Sequence, residues 1–368
     1  MVKNTKQKRW RGMTQGFRGH RTVLFSAGSP MNVDVMRPLL DVLAADERID
    51  LCFAGEYREP GDVEALAEAS GLDGVTLLTE KEAKSLKADM YLCPDGSRYG
   101  KNCHCRVLLF HGVSFKGRAI ARRARWFHQI FLVGPYQRRQ FVERGIFEKH
   151  DPRLVSVGMP KLDRLVRSTI DRDQVRARLG VGNDEACVLY APTWSEQSSL
   201  FTLGEELIDA LSAEPGVRLV VKFHDHHLNP SRSSIDWRER AARWNPERVA
   251  LFEETDVVPA LAAADVLVTD ASSVSQEFCL LDRPILFAEV KELYESERYR
   301  ETADLKTWGQ SAGPVFKTPE QAVKELRRSL ANPTEFSPIR RKLAQDMFYH
   351  PGHATKRALE VLYRELRL

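Results

Sequence analysis

The 368-residue chain has no uninterrupted apolar run of the ~18 residues needed to cross a bilayer as a helix. Its N-terminus, MVKNTKQKRWRGMTQGFRGHR, is basic but lacks the apolar core of a secretory signal, so a cytoplasmic location is expected. Cysteine is sparse, with six residues at 52, 93, 103, 105, 187 and 279, and these read as reduced thiols rather than a disulfide framework. Cys103-His104-Cys105 invites a metal reading, but no second Cys/His pair stands at zinc-finger spacing. The other four lie in apolar runs and read as core residues. Repeats, low-complexity segments and nucleic-acid recognition motifs are absent, so no nucleic-acid partner is expected. The 43% hydrophobic and 29% charged composition excludes a mainly disordered chain. At about 100–200 residues per domain, the length suggests two or three domains.

The net charge is only +4, from 55 Lys and Arg against 51 Asp and Glu, but it is unevenly spread. Residues 1–21 carry Lys3, Lys6, Lys8, Arg9, Arg11, Arg18 and Arg21 without a single carboxylate. A second basic cluster contains Lys116, Arg118, Arg122, Arg123 and Arg125. Both favour anionic partners, and an anionic lipid surface attracts such segments by about 1 kcal/mol per basic residue. The plain alternative is a solvated tail and an ordinary exposed helix face.

Short β-branched runs alternate with helix-like segments throughout. TVLFS (22–26), IDLCFAG (49–55), VTLL (75–78), MYLC (90–93), RVLLFHG (106–112), IFLVG (130–134) and LVSVG (154–158) form a first series of strands. A strand-poor stretch at about 166–185 precedes CVLYAP (187–192), VRLVVKFH (217–224), VALFE (249–253), DVLVTD (265–270) and PILFAE (284–289). Helical patterns lie between the strands, and the chain is helical at 318–331, 336–348 and 354–366. Such alternation implies parallel βαβ units and two Rossmann-like, doubly wound α/β lobes. The expected division is a basic tail (1–20), an N-terminal lobe (21–170), a C-terminal lobe (171–335) and terminal helices packing across both (336–368).

Doubly wound sheets bind ligands beyond the carboxyl ends of their strands. The strongest signal there is Thr269-Asp270-Ala271-Ser272-Ser273, between a strand and a helix. Small hydroxyl residues and free N–H groups at a helix start suit a phosphate or diphosphate. Glu277, one turn further, suits a ribose diol. Simple capping by Asp270 or Ser272 is the plain alternative. Other strand ends carry His111-Gly112 with Ser114 and Lys116, Lys161 and Asp163, Thr193 with Trp194, and Lys222 with His224. His226 and His227 read as loop residues. Asp163, Asp265 and Asp270 are scattered, so no metal cage is evident and transfer without a metal is expected.

Several of these segments together resemble one family. LLFHGVSFK is similar to the WHGTPLK-type motif of the CDP-glycerol glycerophosphotransferases, the teichoic-acid primases and polymerases. VGMPKLDRL resembles that family's GYPRNDKL stretch, LYAPTW its YAPTWR, and VVKFH its KxHP. TDASSVSQEFCLLDRPILF resembles TDYSSVxFDFxxLxKPxIF, and HPGHATKRALEVL the closing DGxASxR segment. The matches keep the family's order over about 105–360. Departures are Val113 and Ser114 in the HG stretch, and Lys161, Ser195, Asp225, Ala271 and Glu277 elsewhere.

The resemblance implies a GT-B-like fold with an interlobe cleft, the donor on the C-terminal lobe and the acceptor on the N-terminal one. It implies transfer of a phosphopolyol, most simply glycerol phosphate, from a CDP-activated polyol to a lipid-linked glycan, with release of CMP. His111 and His224 are then the expected catalytic pair, one a base and one a donor to the diphosphate, with the roles exchangeable. Thr193, Lys222, Thr269, Asp270, Ser272, Ser273, Glu277 and Lys161 are the expected nucleotide and phosphate contacts. Gly112 and Lys116 are the expected acceptor-side contacts. Lys3, Lys6, Lys8, Arg9, Arg11, Arg122, Arg123 and Arg125 are the expected contacts with an anionic membrane at its inner face. No cofactor is expected. A UDP-sugar glycosyltransferase or epimerase on the same fold, and a catalytically silent nucleotide-binding protein, remain as alternatives. The oligomeric state, including a homo-oligomer, stays open.

Overall fold

The computed structural model describes residues 19–55, 62–94, 96–114, 117, 119–228, 233, 235–297, 299–301, 303–304 and 310–368. Two compact units emerge. Of the described residues, one contains those up to Val113, Ala119–Asp163 and Phe348–Leu368, and the other is built on those of Arg164–Met347.

The first unit holds β1 (Arg21–Ala27), β2 (Ile49–Gly55), β3 (Thr76–Leu78), β4 (Met90–Cys93), β5 (Cys105–Leu108), β6 (Gln129–Leu132) and β7 (Leu154–Ser156). They lie in the order β3-β2-β1-β4-β5-β6-β7, every pairing parallel. The second holds β8 (Ala186–Ala191), β9 (Val217–Val221), β10 (Val249–Leu251), β11 (Val266–Thr269), β12 (Ile285–Ala288) and β13 (Val315–Phe316). Their order is β10-β9-β8-β11-β12-β13, again all parallel. Both sheets therefore reverse direction of growth once, between β1 and β4 and between β8 and β11. Such switch points open a crevice at the carboxyl edge of a doubly wound sheet.

Central strands such as β9 and β11 are buried along their whole length, as expected of parallel strands covered on both faces. In the first unit Val23, Phe25, Phe53 and Leu92 pack with Ala358, Val361, Leu362 and Leu366 of the final helix, Ala354–Leu366. In the second, Val188, Leu219, Phe223, Trp237 and Val266 pack with Leu207, Leu211 and Leu326 of the surrounding helices. The terminal segment is thus divided: helix Ser337–Met347 stays with the second unit and Ala354–Leu366 joins the first. Buried Arg340 holds the former, donating to the Asp282 carboxylate at 3.0 Å and to the carbonyls of Asp282 and Pro333.

Two local expectations change. β5 stops at Leu108, so His111 and Gly112 lie on an irregular turn and not at the last strand position. The helix after Ser273 has only five α-helical residues, Val274–Phe278, before a 3-10 turn, Cys279–Leu281, closed by Asp282 at φ 52°. Its dipole is correspondingly short, which weakens the expectation of a strong anion-binding helix start.

Candidate active site

At the second switch point β11 ends in Thr269 and Asp270, both fully buried. The Asp270 carboxylate accepts the Thr193 N–H at 2.8 Å and the Ala271 N–H at 2.6 Å on one oxygen. Its other oxygen accepts the Ser199 N–H at 3.0 Å and the Ser199 hydroxyl at 2.8 Å. Thr269 donates its hydroxyl to the Ala191 carbonyl at 2.6 Å. Both side chains are occupied within the protein. They clasp the β8 loop against the β11 loop. Thr193 is held by the same clasp through its backbone.

Ser272 and Ser273 remain partly exposed, and the Ser273 hydroxyl makes no cap bond to the helix. These two hydroxyls are the polar groups that the clasp leaves at the surface of the turn. Glu277, expected at a ribose diol, is 1% exposed and its carboxylate oxygens are sealed from solvent.

Beyond β9 the chain forms the 3-10 turn Asp225–His227. His224 precedes it and its Nδ1 accepts the His226 N–H at 3.2 Å. An acceptor nitrogen carries no proton, so the neutral ring bears its hydrogen on Nε2. Lys222, expected to touch phosphate, is buried and donates to the Phe223 carbonyl at 3.0 Å and to Asp225 at 3.4 Å. The His226 ring lies 4.8 Å from Trp194, edge to face, and 4.9 Å from the His224 ring. His227 is no loop residue: it is 1% exposed, among Phe201, Phe223 and Trp237. Burial, aided by His226 and Lys222, pushes its pKa down to about 4.

In the first unit His111 is exposed beyond β5, whereas Gly112 is buried. The Gly112 carbonyl accepts from the buried Gln137 amide at 3.1 Å, and the Gln137 oxygen accepts the Val133 N–H at 2.8 Å. That bridge ties the His111 turn to the end of β6. Gly112 therefore serves the turn through its backbone. Ser114 follows at φ 62°, a left-handed conformation uncommon outside glycine. Lys161 is buried on the 3-10 turn Pro160–Leu162. Its neighbours bind the C-terminal helix: Asp163 accepts the N–H groups of Ala354 at 2.9 Å and Thr355 at 2.7 Å. Gly158, at φ 93°, lets the Tyr349 carbonyl approach to 2.7 Å of where a Cβ would stand. Arg357 donates to the carbonyls of Val157 and Tyr349 at 2.9 and 3.0 Å.

Arg122 and Arg123 are exposed on a 3-10 turn, Arg122–Trp126, while the Arg125 guanidinium is tied to the carbonyls of Ile146 and Gly145. Arg125 is also exposed, so it braces the turn while its charge stays at the surface. Lys3, Lys6, Lys8, Arg9, Arg11, Lys116 and Arg118 lie outside the described residues. All six cysteines are buried free thiols, and burial raises those of Cys52, Cys105, Cys187 and Cys279 to about 12. Among the described residues no group of three or more His, Cys, Asp and Glu is placed to hold a metal ion. Among them also, no helix is long and apolar enough to cross a membrane.

Ser199, Gln137 and Arg357 carry much of this architecture, yet sequence reasoning misses all three. Each is an ordinary polar residue whose partner lies on a different segment. The Ser-rich run after Trp194 and the closing arginine of the segment that resembles DGxASxR, Arg357, offer signals, but neither identifies its acceptor.

The comparisons with known proteins agree with the motif resemblance. A curated relative, the teichoic acid poly(glycerol phosphate) polymerase of Staphylococcus epidermidis, is 26% identical over 209 residues, 54% of this chain and 28% of that protein. The chain thus spans well under half the length of that relative. The solved wall teichoic acid polymerase TagF superposes with a TM-score of 0.67 at 15% identity, covering 94% of this chain and 89% of that one. UDP-GlcNAc 2-epimerase from Neisseria meningitidis superposes with a TM-score of 0.57 at 11% identity, over 93% and 100% of the two chains. These likenesses show a shared two-lobe, GT-B-like α/β fold. The sequence model described as CDP-glycerol:poly(glycerophosphate) glycerophosphotransferase matches residues 119–364, more than half of the chain, and the chain belongs to that family.

Proposed function

We propose that the protein transfers glycerol phosphate from CDP-glycerol to a hydroxyl of a lipid-linked glycan in cell-wall polymer synthesis. The acceptor oxygen attacks the phosphorus that carries glycerol. A new O–P bond forms, the bond to the bridging diphosphate oxygen breaks, and CMP leaves with that oxygen. His111 takes the hydroxyl proton. His224 donates to the phosphoryl oxygens, and the Ser272 and Ser273 hydroxyls donate beside it. The observation that carries this division of labour is the bond from the His226 N–H to His224 Nδ1. It leaves the neutral His224 with an Nε2 hydrogen to give and no lone pair there to act as base. The exposed His111 ring is the other histidine that the family motif singles out.

Family membership and the ordered motifs support the donor class. No metal takes part in this reading: two histidines and hydroxyl groups supply the charge stabilisation that phosphoryl transfer needs. Turnover is therefore expected to survive EDTA, and a loss that magnesium restores contradicts that point. The basic tail, with Arg122 and Arg123, supports a peripheral seat on the inner face of the membrane.

Calorimetric titration with CDP-glycerol, with CDP-ribitol and UDP-GlcNAc as competitors, tests the reading directly. Binding of the CDP-polyols with UDP-GlcNAc excluded is expected. Preference for the UDP-sugar overturns it in favour of nucleotide-sugar chemistry, and binding without turnover in the presence of acceptor indicates a silent nucleotide-binding protein.

A further inference from the structure

Lys222 carries a charge into the protein interior. Its side chain is 7% exposed, and the ammonium is held by the Phe223 carbonyl at 3.0 Å and the Asp225 carboxylate at 3.4 Å. A buried ammonium is costly unless it is both paired and hydrogen-bonded, so these contacts are held firmly. They grip the residue before His224 and the residue after it. The turn closes over the same point: His227 donates its N–H to the His224 carbonyl at 2.8 Å, and His226 donates its own to His224 Nδ1.

We propose that the Lys222–Asp225 ion pair is a positioning device that presents His224 as a single-tautomer Nε2–H donor. Holding residues 223 and 225 fixes the turn, and the turn brings the His226 N–H onto Nδ1. Once the turn relaxes, that N–H leaves and the neutral imidazole divides between its two tautomers. The form with hydrogen on Nδ1 turns a lone pair toward the phosphate oxygen and repels it. The catalytic consequence rests on the reading of His224 as a phosphate donor, whereas the tautomer itself does not.

The experiment pairs nitrogen NMR of ¹⁵N-histidine-labelled full-length protein with turnover of CDP-glycerol. His224 signals are assigned by their loss in His224→Ala. In the unaltered protein His224 Nδ1 is expected at the position of an unprotonated ring nitrogen. Asp225→Ala is expected to move both ring nitrogens toward tautomer-averaged positions and to lower kcat about tenfold. Asp225→Asn, which still accepts from Lys222, is expected to restore the single tautomer and to bring kcat within about threefold of the original. Should Asp225→Ala fail to fold by circular dichroism, Lys222→Met provides the same two readouts. Unchanged nitrogen positions in the folded variant overturn the proposal, and nitrogens that move with kcat unchanged, while His224→Ala is impaired, overturn its catalytic consequence. Wild-type turnover in His224→Ala overturns the donor role of His224 instead, and the NMR arm, which needs no substrate, still judges the positioning.

Discussion

Asp163 and Ala354, 191 residues apart, are joined by a 2.9 Å hydrogen bond from the Ala354 N–H to the Asp163 carboxylate. Thr355 donates to the second oxygen at 2.7 Å, so a single carboxylate caps the final helix. Two segments that resemble separate family motifs are thereby one structural unit. Gly158 and Arg357 complete it around the Tyr349 carbonyl.

Removing that cap should loosen the final helix from the first unit. Asp163→Ala is expected to cost about 1–2 kcal/mol, by analogy with other lost helix caps. Gly158→Ala should cost about 2 kcal/mol or more, because its φ of 93° and the Tyr349 carbonyl both oppose a Cβ. Denaturant unfolding of the two variants measures both, and midpoints equal to that of the unaltered protein refute the cap.

Asp270 accepts four hydrogen bonds at the second switch point. Asp270→Ala leaves those buried donors without an acceptor and is expected to destabilise the fold by about 3 kcal/mol or more. A ligand contact with no structural role shows the opposite pattern: weaker nucleotide binding with an unchanged unfolding midpoint.

His227 makes stability depend on pH. Its folded pKa of about 4 lies below the ordinary value of 6.5, so the unfolded chain takes up a proton first as pH falls. Its share of stability is fully present above pH 6.5 and is lost as pH drops through the window down to about 4. At 1.36 kcal/mol per pH unit the whole loss is about 3 kcal/mol. His227→Phe should flatten the unfolding free energy across that window, and an unchanged slope there rules out the assignment.

If His111 is the base, His111→Ala should lower kcat by about 10²–10⁴ with CDP-glycerol affinity nearly unchanged. Single-turnover kinetics with parallel calorimetry separates the two quantities. Equal turnover in the variant removes His111 from the reaction.

Removing residues 1–18 deletes Lys3, Lys6, Lys8, Arg9, Arg11 and Arg18. At about 1 kcal/mol per basic residue near an anionic surface, sedimentation with phosphatidylglycerol vesicles should drop markedly at low salt. Identical sedimentation by the shortened protein rules out a membrane role for the tail.

Much of the fold was legible in the sequence because its information is local. Buried parallel strands read as continuous β-branched runs, so IDLCFAG and MYLC coincide with β2 and β4 to the residue. Helices 319–331 and 354–366 likewise follow from their apolar spacing. The two-residue β13 is too short to make such a run. The gathering of polar residues at the strand ends was legible too, since the ends of the β-branched runs mark where the strands stop.

Tertiary structure alone decided what the polar residues at those ends do. A carboxylate such as Asp270, or an ammonium such as Lys222, looks the same in sequence whether it meets a ligand or the backbone of a neighbouring loop. The choice depends on which loops the sheet order brings within 3 Å, and that pairing spans 77 residues for Thr193 and Asp270. His227 makes the same point: an imidazole in a polar run is sequestered among aromatic rings because Phe201 and Trp237 arrive from elsewhere in the chain. Periodicity encodes what is buried along one segment, but hydrogen-bond partners are set by contacts that form only when distant segments pack.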